Sequence, residues 1–224
     1  MRVLIVSATA EEISFFSQVI LNAKEGRAFA LPIKKQELQV LISGVGMMRT
    51  AFYLGNILAQ QKFDLAINLG LAGALERNLQ LGEVVEVITD SFADVGAEDD
   101  QGFIDDFDLG LSARDKFPFQ NKKINNVNQY TPLARVKQVE AITVNKVHGN
   151  ESSIAALRNR THAAIETMEG AAFFYACMQN DIPCMQLRSI SNYVEKRDKS
   201  KWNIPLAIQN LQAVTENFLG RILK

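Results

Sequence analysis

Hydrophobic residues occur along the chain in short continuous runs that alternate with stretches of helical spacing. The first run covers residues 3–7 and is bounded by polar positions, which is typical of a strand buried on both faces. Thr9 and Glu12 follow in a Thr-x-x-Glu pattern, ahead of apolar residues at positions 13, 16 and 20. This pattern is a capping box that opens an amphipathic helix, so the sequence begins with a predicted βα unit.

The same alternation continues to the C-terminal end. Further strands are predicted at residues 28–33, 38–43, 64–69, 83–89, 141–145, 163–166 and 184–191. Helices are predicted at residues 47–60, 152–159, 170–180 and 204–223. Strands that alternate with helices predict an α/β fold, in which a mainly parallel or mixed sheet is covered by helices on both faces.

One long segment departs from this pattern. Residues 98–132 are rich in Asp, Asn, Gln and Lys and contain two of the five prolines. Because strand-like sequence resumes afterwards, we interpret the segment as an irregular loop over an active site or an interface, and not as a domain boundary. A chain of 224 residues is long enough for one large domain, which we predict over residues 1–224.

Composition narrows the class of partner. Lys and Arg (24) nearly cancel Asp and Glu (25), so no overall field attracts nucleic acid or an anionic membrane, and a small molecule is the predicted partner. Cys177 and Cys184 lack the spacing of a zinc site or a disulfide framework, which indicates a reducing, cytoplasmic compartment. The N-terminal apolar run is too short for a signal peptide, and no run approaches a membrane span in length.

Two acidic residues that follow predicted strands are the first candidates for chemistry. Glu12 comes after the strand at 3–7, and Glu169 comes after the strand at 163–166. Ligands of open α/β sheets bind beyond the carboxyl ends of the strands, so these two loops can converge with the loop after residue 69 on one pocket. Each carboxylate also has a structural interpretation: Glu12 completes the capping box, and Glu169 interacts with the dipole of the helix it precedes.

Two glycine-containing segments and one asparagine lie near the same predicted edge. Arg49 stands where the third glycine of a dinucleotide-binding motif would follow Gly44-x-Gly46, which favours a tight turn over nicotinamide binding. Residues 70–73 (GLAG) are predicted to be a turn, either a plain one or one whose bare backbone admits a ligand. Asn192, at the end of the strand at 184–191, offers a donor and an acceptor to a ligand, or caps a helix or turn.

Five motifs occur in order along nearly the whole chain: SATAEEI, ISGVG, NLGLAGAL followed by LGEVVEV, ETMEGAA and QLRSISN. Together they resemble the nucleoside phosphorylase and nucleosidase family, which includes the methylthioadenosine/S-adenosylhomocysteine nucleosidases. SNYVEKRDKSKWNIPLAI and FADVGAEDDQGF further resemble the futalosine hydrolases of that family. The resemblance implies a three-layer α/β/α sandwich with a twisted, mixed, mainly parallel sheet, and a homodimer or larger homo-oligomer.

The resemblance also implies roles for individual residues. Glu12 is expected to activate a water molecule, and Glu169 to accept hydrogen bonds from the ribose hydroxyls. A second group is expected to contact the substrate: Ala72 and Gly73 through the backbone, Met168 against the ribose, and His148 and Trp202 at the base. For His148 the alternative is a surface loop histidine. No metal or organic cofactor is implied.

Two departures from the family pattern refine the expected reaction. Leu71 brings no hydroxyl to the GLAG segment, so a phosphate would lack donors there and water is the expected nucleophile. Asn192 stands where adenine-cleaving relatives have a proton-donating aspartate, and an amide cannot give up a proton. Its N–H can donate to O6 of a 6-oxopurine while its oxygen accepts from a protonated N7. The expected leaving base is hypoxanthine.

The sequence therefore predicts hydrolysis of the N-glycosidic bond of a 6-oxopurine nucleoside. The resemblance specifies futalosine, split into hypoxanthine and dehypoxanthine futalosine in menaquinone biosynthesis. Lys196, Arg197 and Trp202 are candidates for its benzoate end, although a solvated charge run also explains the two cations. A methylthioadenosine/S-adenosylhomocysteine nucleosidase, a phosphorylase and a non-catalytic nucleoside-binding protein remain alternatives. The hypothesis requires that Glu12 and Glu169 converge and that neither is buried against a permanent arginine.

Overall fold

The computed structural model describes residues 1–16, 23–33, 36–100, 102–126, 128, 130–131 and 135–223. Its strands, in chain order, are β1 (Arg2–Ser7), β2 (Ala28–Ile33), β3 (Gln36–Ile42), β4 (Leu65–Ala74), β5 (Val84–Phe92), β6 (Gly96–Asp99), β7 (Gly102–Asp105), β8 (Phe119–Gln120), β9 (Lys123–Asn125), β10 (Lys137–Thr143), β11 (Ile165–Thr167) and β12 (Cys184–Tyr193). Its helices are α1 (Met47–Gln60), α2 (Glu151–Arg158), α3 (Gly170–Gln179) and α4 (Ile204–Ile222), with 3-10 turns at Glu11–Ile13 and Lys199–Lys201. Across these ranges, no helix combines the length and the apolar character that crossing a membrane requires.

Ten strands form one mixed sheet in the described part of the chain. Along its main path the order is β2-β3-β1-β4-β11-β10-β5-β9-β8, and β12 pairs with both β4 and β5. Five strands, β4, β12, β5, β10 and β11, therefore pair in a closed circuit. The pairings of β1 with β3 and β4, of β4 with β12, and of β10 with β5 and β11 are parallel.

Helices cover the sheet on both faces because successive side chains of a strand point to opposite sides. On β1, Leu4 and Val6 join a buried cluster with residues of α1 and α3. Val3 and Ile5 join a second buried cluster with residues of α4. The result is the three-layer α/β/α arrangement with a mixed central sheet that the sequence predicts.

Strand β4 is longer than the sequence predicts. Residues 70–73 are not a turn but continue the strand to Ala74. They stay extended because β12 pairs with them on one side, and β11 pairs with Gly73 and Ala74 on the other. The GLAG segment therefore lies in the interior of the sheet, with a neighbouring strand along each edge of its last residues.

Two other predicted segments differ in the structure. The segment at 98–132 is not wholly irregular: β7 completes a hairpin with β6, and β8 and β9 form a second hairpin that extends the sheet beside β5. The capping box at Thr9 opens the short 3-10 turn Glu11–Ile13. Position 20 of the predicted amphipathic helix lies outside the described residues.

Candidate active site

Glu12 connects the end of β1 with the middle of β4. Its Oε1 accepts a hydrogen bond from the backbone N–H of Leu71 (2.9 Å), and its Oε2 accepts from the Ser7 hydroxyl (3.1 Å). Both bonds of the capping box are also present, from Thr9 N to Glu12 Oε2 (3.1 Å) and from Glu12 N to Thr9 Oγ1 (3.4 Å). The capping interpretation of Glu12 is confirmed, and the same carboxylate faces the GLAG segment.

Glu169 immediately precedes α3 and is buried. Its side chain makes no capping bond to its own helix; instead Oε1 accepts from the N–H of Gly46 (3.0 Å) at the start of α1. Gly46 has φ 100°, so the tight-turn interpretation of Gly44-x-Gly46 is confirmed. Burial raises the pKa of Glu169; Arg188 opposes this rise and the negative charge of Glu12 adds to it. The two carboxylates thus lie close enough to repel each other.

Arg188 is the residue that brings the two carboxylates together. Its guanidinium is buried, with Nη1 3.6 Å from Glu169 Oε2. A Cβ on Gly70 would lie 2.4 Å from Arg188 Nη1 and 2.9 Å from Glu12 Oε1, so both groups crowd the same bare stretch of β4. The expectation that neither carboxylate is buried against a permanent arginine is wrong for Glu169. This failed expectation does not exclude the nucleosidase hypothesis, because the 3.6 Å contact is longer than a hydrogen bond and leaves Glu169 Oε2 able to accept one from a ligand.

A polar chain beneath the site fixes the guanidinium of Arg188. Arg188 Nε donates to Gln186 Oε1 (2.9 Å), and Gln186 Nε2 donates to Asp90 Oδ2 (3.1 Å). Thr143 donates its hydroxyl to Asp90 Oδ1 (3.0 Å). Burial raises the pKa of Asp90 to about 7, although these hydrogen bonds and the charge of Arg188 oppose the rise. Arg188 Nη2 is buried and has no hydrogen-bond partner among the described residues.

Sequence reasoning missed Arg188, Gln186 and Asp90 as site residues. The signal was present, since Arg188 is the one charged residue of a strand whose first eight residues are buried. A charged side chain at such a position is costly unless it is paired, which points to an acidic partner nearby. Which acid pairs with it depends on the register of β12 against β4, and that register is not readable from one segment.

Asn192 and Gly73 lie opposite each other on β12 and β4. A Cβ on Gly73 would lie 2.9 Å from Val194 Cγ2 and 3.3 Å from Asn192 Nδ2, so the amide of Asn192 packs against bare backbone. Asn192 Oδ1 accepts from the Ser191 hydroxyl (2.8 Å), and Nδ2 donates to the carbonyl of Tyr193 (3.0 Å). Asn192 caps none of the described helices, so the helix-capping alternative is wrong. Nδ2 carries two N–H groups, and within the described ranges only one of them has a partner.

His148 is held by Glu166, on the other side of Gly73. Glu166 of β11 pairs with Gly73 in the sheet, and its Oε1 accepts from the backbone N–H of His148 (3.0 Å). The ring Nδ1 of His148 contacts Glu166 Oε2. Burial raises the pKa of Glu166, the contacts with His148 lower it, and Asp94 raises it. His148 is largely buried, so its interpretation as a surface loop histidine is wrong.

One cavity, at the end of the closed circuit of strands, is lined by several of the residues that are expected to contact the base. It is lined by Gly73, His148, Glu166, Asn192 and Trp202, together with Val147, Tyr193, Glu195, Lys196, Arg197 and Lys201. Trp202 is half-buried, and the Arg197 guanidinium lies 5.1 Å from the centre of its ring. Lys196 and Arg197 are exposed at the mouth of this cavity. The carboxylate pair lies roughly 10 Å away along β4, by the rise of an extended strand between Gly70 and Gly73.

Two further predicted contacts have other surroundings. Ala72 is buried in the core, and its carbonyl accepts from the Ser191 hydroxyl (3.3 Å). Met168 is partly exposed, directly before Glu169. Among the described residues, no group of three or more His, Cys, Asp or Glu side chains could hold a metal ion.

The arrangement combines an acidic pair and a buried arginine with a nearby polar cavity, at the carboxyl ends of parallel strands. It can activate water at one end, bind a diol at Glu169 and hold a planar heterocycle at the other end. These features have the chemistry to receive a small molecule with a diol at one end and a planar ring at the other.

Comparison with known proteins identifies the family of the chain. The sequence model of the phosphorylase superfamily matches residues 2–220, and the chain belongs to that family. A futalosine hydrolase of Thermus thermophilus is 29% identical over 203 residues, which cover 88% of this chain and 89% of the relative. One of Acidothermus cellulolyticus is 31% identical over 176 residues, covering 77% of this chain and 71% of the relative.

Solved structures share the fold. A 5′-methylthioadenosine/S-adenosylhomocysteine nucleosidase of Neisseria meningitidis, in complex with methylthio-immucillin-A, superimposes with a TM-score of 0.79. The two chains are 19% identical, and the match covers 97% of this chain and 98% of the other. The resemblance drawn from the five sequence motifs is confirmed.

Proposed function

We propose that the protein hydrolyses the N-glycosidic bond of a 6-oxopurine nucleoside, with futalosine as substrate and hypoxanthine as leaving base. Membership of the phosphorylase superfamily and relatives named futalosine hydrolase or nucleosidase make the protein an enzyme of the nucleosidase class. The proposal concerns the substrate, the nucleophile and the roles of individual residues.

The convergence of Glu12 and Glu169 around Arg188 is the observation that carries the proposal. Glu12 takes a proton from the attacking water, and the N–H of Leu71 and the hydroxyl of Ser7 hold its carboxylate in position. Glu169 accepts hydrogen bonds from the two ribose hydroxyls and places the anomeric carbon near that water. The bond between sugar and base then breaks through a transition state with oxocarbenium character.

Arg188 keeps Glu169 able to accept those bonds. Burial alone would favour the protonated carboxyl, which cannot accept two hydrogen bonds from a diol as well as the bond from Gly46. The charge of Arg188 lowers the pKa of Glu169 towards the ionised form. Arg188 Nη2 is buried and has no partner in the described part of the chain, so the guanidinium retains an unused donor beside Glu169.

Asn192 favours a 6-oxopurine over adenine. The free N–H of Nδ2 donates to an O6 carbonyl, whereas the amino group of adenine would present a second donor to it. A methylthioadenosine/S-adenosylhomocysteine nucleosidase remains the second candidate, since the structure of one such enzyme superimposes over nearly the whole chain. The two futalosine hydrolase relatives described above support the first candidate. A place in menaquinone biosynthesis is part of the same proposal.

The benzoate end of futalosine is not matched to Lys196 and Arg197. Both cations line the mouth of the cavity that holds Asn192, at the base end of the site, and both are exposed. A solvated charge run therefore describes them better than a carboxylate subsite. We propose that a partner subunit of a homodimer forms the part of the site that contacts the 5′ substituent of the nucleoside.

Parallel incubation with futalosine, inosine and methylthioadenosine tests the proposal, with the released base identified by chromatography. We expect hypoxanthine from futalosine at the highest kcat/KM and an unchanged rate when phosphate is added. Faster release of adenine from methylthioadenosine would favour the second candidate. A sugar phosphate would indicate a phosphorylase, and binding of all three nucleosides without release of base would indicate a non-catalytic binding protein.

A further inference from the structure

The departing purine needs a proton, and Asn192 cannot provide it. Its Oδ1 accepts from Ser191 and its Nδ2 donates to the carbonyl of Tyr193, so the amide is held in place as a donor to O6. An amide has no acidic proton near neutral pH. Another group in the same cavity must therefore serve the leaving base, if the site accelerates departure by general acid catalysis.

Most titratable groups of the cavity are unsuited to this step. The pKa of Glu195 is lowered, first by a hydrogen bond from Arg77, so Glu195 is ionised and has no proton to give. The Tyr193 hydroxyl donates to the carbonyl of Leu79 (2.9 Å) and is turned towards it. Lysine and arginine side chains release protons only well above neutral pH. The cavity contains three of them: Lys196, Arg197 and Lys201.

His148 and Glu166 remain. The side chain of Glu166 is 3% exposed and that of His148 is 10% exposed, so the pair is shielded while the imidazole reaches the cavity. Both carboxylate oxygens of Glu166 are occupied by His148, Oε1 by its backbone N–H and Oε2 by its ring Nδ1. The carboxylate consequently fixes the ring through Nδ1 and leaves Nε2 as the free nitrogen.

We propose that His148, oriented by Glu166, donates the proton that the leaving purine requires. The proposal rests on the proposed function and adds the missing acid to it. As the C1′–N9 bond breaks, its electron pair moves into the purine ring, and the proton on His148 Nε2 passes to N7. Glu12 takes a proton from the water that forms the new C1′–O bond. The proton on Glu12 then returns to His148 through solvent, and Asn192 donates to O6 throughout.

Several neighbouring groups hold the pair in this state. Asp94 accepts from the backbone N–H (2.6 Å) and the side-chain amide (3.1 Å) of Asn145, which anchors the loop that carries His148. The N–H of Arg197 donates to the carbonyl of Gly149 (3.1 Å) at the other end of that loop. The charged groups that face the pair are Asp94 before the loop and Glu195, Lys196, Arg197 and Lys201 after β12. Glu166 acts through His148 and is a positioning residue.

A comparison of two leaving groups tests the proposal. Hypoxanthine benefits from a proton donor, whereas 4-nitrophenolate departs from 4-nitrophenyl riboside as a stable anion. For His148→Gln we expect kcat/KM to fall about 10²–10⁴-fold with futalosine. The fold-loss with the nitrophenyl riboside should be at least about tenfold smaller. The matched control is His162→Gln, at the only other histidine of the chain, which lines a different cavity and should leave both rates unchanged. Equal losses with the two substrates in His148→Gln would overturn the proposal.

A second measurement leaves His148 in place. Glu166→Gln removes the carboxylate that orients the ring, so kcat/KM should again fall further with futalosine than with the nitrophenyl riboside. A merely structural role of Glu166 would lower the two rates equally. Equal losses with the two substrates in Glu166→Gln would also overturn the proposal. A wild-type enzyme that releases no base from any nucleoside would instead refute the proposed function.

Discussion

Arg188 Nη1 lies 3.6 Å from Glu169 Oε2, and both side chains are buried, Arg188 in the middle of β12 and Glu169 between β11 and α3. The contact is close enough for a strong electrostatic effect and too long for a hydrogen bond. Glu169 therefore retains acceptor capacity while its charge is balanced. This relationship explains how a carboxylate between Met168 and Gly170 is stable in an apolar setting, and it links the acidic pair to the interior of the protein.

Replacing Arg188 should change the pH dependence of catalysis. Arg188 lowers the pKa of Glu169, so in Arg188→Met that pKa should rise further, and the acidic decline of kcat/KM should move to higher pH. Loss of one partner of a buried ion pair should also lower the free energy of unfolding by about 3–5 kcal/mol. Urea unfolding and a pH series measure both effects. Arg114→Met, at an exposed ion pair, is the control; an unmoved acidic decline in Arg188→Met would contradict the role of Arg188.

Glu12→Gln should remove the base that activates water while leaving a side chain of the same size. We expect kcat to fall by about 10²–10⁴, with binding of the nucleoside still measurable by calorimetry. The amide can still accept from the N–H of Leu71, so the fold around β4 should persist. Near-normal turnover in this variant would exclude Glu12 from the mechanism.

Asn192→Asp should restore an ionisable group next to the purine. A protonated aspartate donates to N7 of adenine, so the variant should gain kcat/KM for methylthioadenosine relative to futalosine. The comparison requires both substrates and both proteins in one assay series. An unchanged ratio would show that residue 192 does not select the base.

Gly73→Ala tests the close approach of Asn192 to bare backbone. The added methyl group would lie 2.9 Å from Val194 Cγ2 and 3.3 Å from Asn192 Nδ2, so the amide must shift. We expect kcat/KM to fall by at least about tenfold, because small displacements of a positioning group are costly. Gly55→Ala is the matched control, since a Cβ at that position of α1 meets nothing within 4 Å and should stabilise the helix by up to about 1 kcal/mol.

Asp90 should make stability depend on pH. Burial raises the pKa of Asp90 from 3.8 to about 7, so the native state binds its proton more tightly than the unfolded chain does. Stability from this group is therefore greatest below the unfolded pKa and declines as pH rises to about 7, by up to roughly 4 kcal/mol. Asp90→Asn should remove this decline. Parallel free energy of unfolding curves for the two proteins between about pH 5 and about pH 8 would contradict the assignment.

Much of the layered fold could be predicted from local pattern. The runs at residues 3–7, 28–33 and 184–191 lie in strands as predicted. The first is buried along its whole length, as expected of a continuous apolar run in a sheet that is covered on both faces. The GLAG segment was predicted to be a turn, since small residues and glycines have low strand preference. It remains a strand because β11 and β12 pair with it. These strands are distant in sequence, so the local pattern cannot predict the pairing.

Part of the site could also be predicted from local sequence pattern. Glu12 and Glu169 follow strand ends, and the rule that ligands bind at those ends places them together. Arg188 and Glu166 were missed as partners, since they meet Glu169 and His148 through the closed circuit of strands and not through sequence spacing. The spacing of residues within one strand does not show which residue of another segment a side chain of that strand will contact.

A single-turnover reaction with futalosine in water labelled with heavy oxygen tests the central claim most directly. The wild-type protein should release hypoxanthine and leave one labelled oxygen at C1 of the sugar product. Within the same time, Glu12→Gln should form neither hypoxanthine nor the labelled sugar. Absence of hypoxanthine from the wild-type reaction, or a sugar product without the label, would contradict the account.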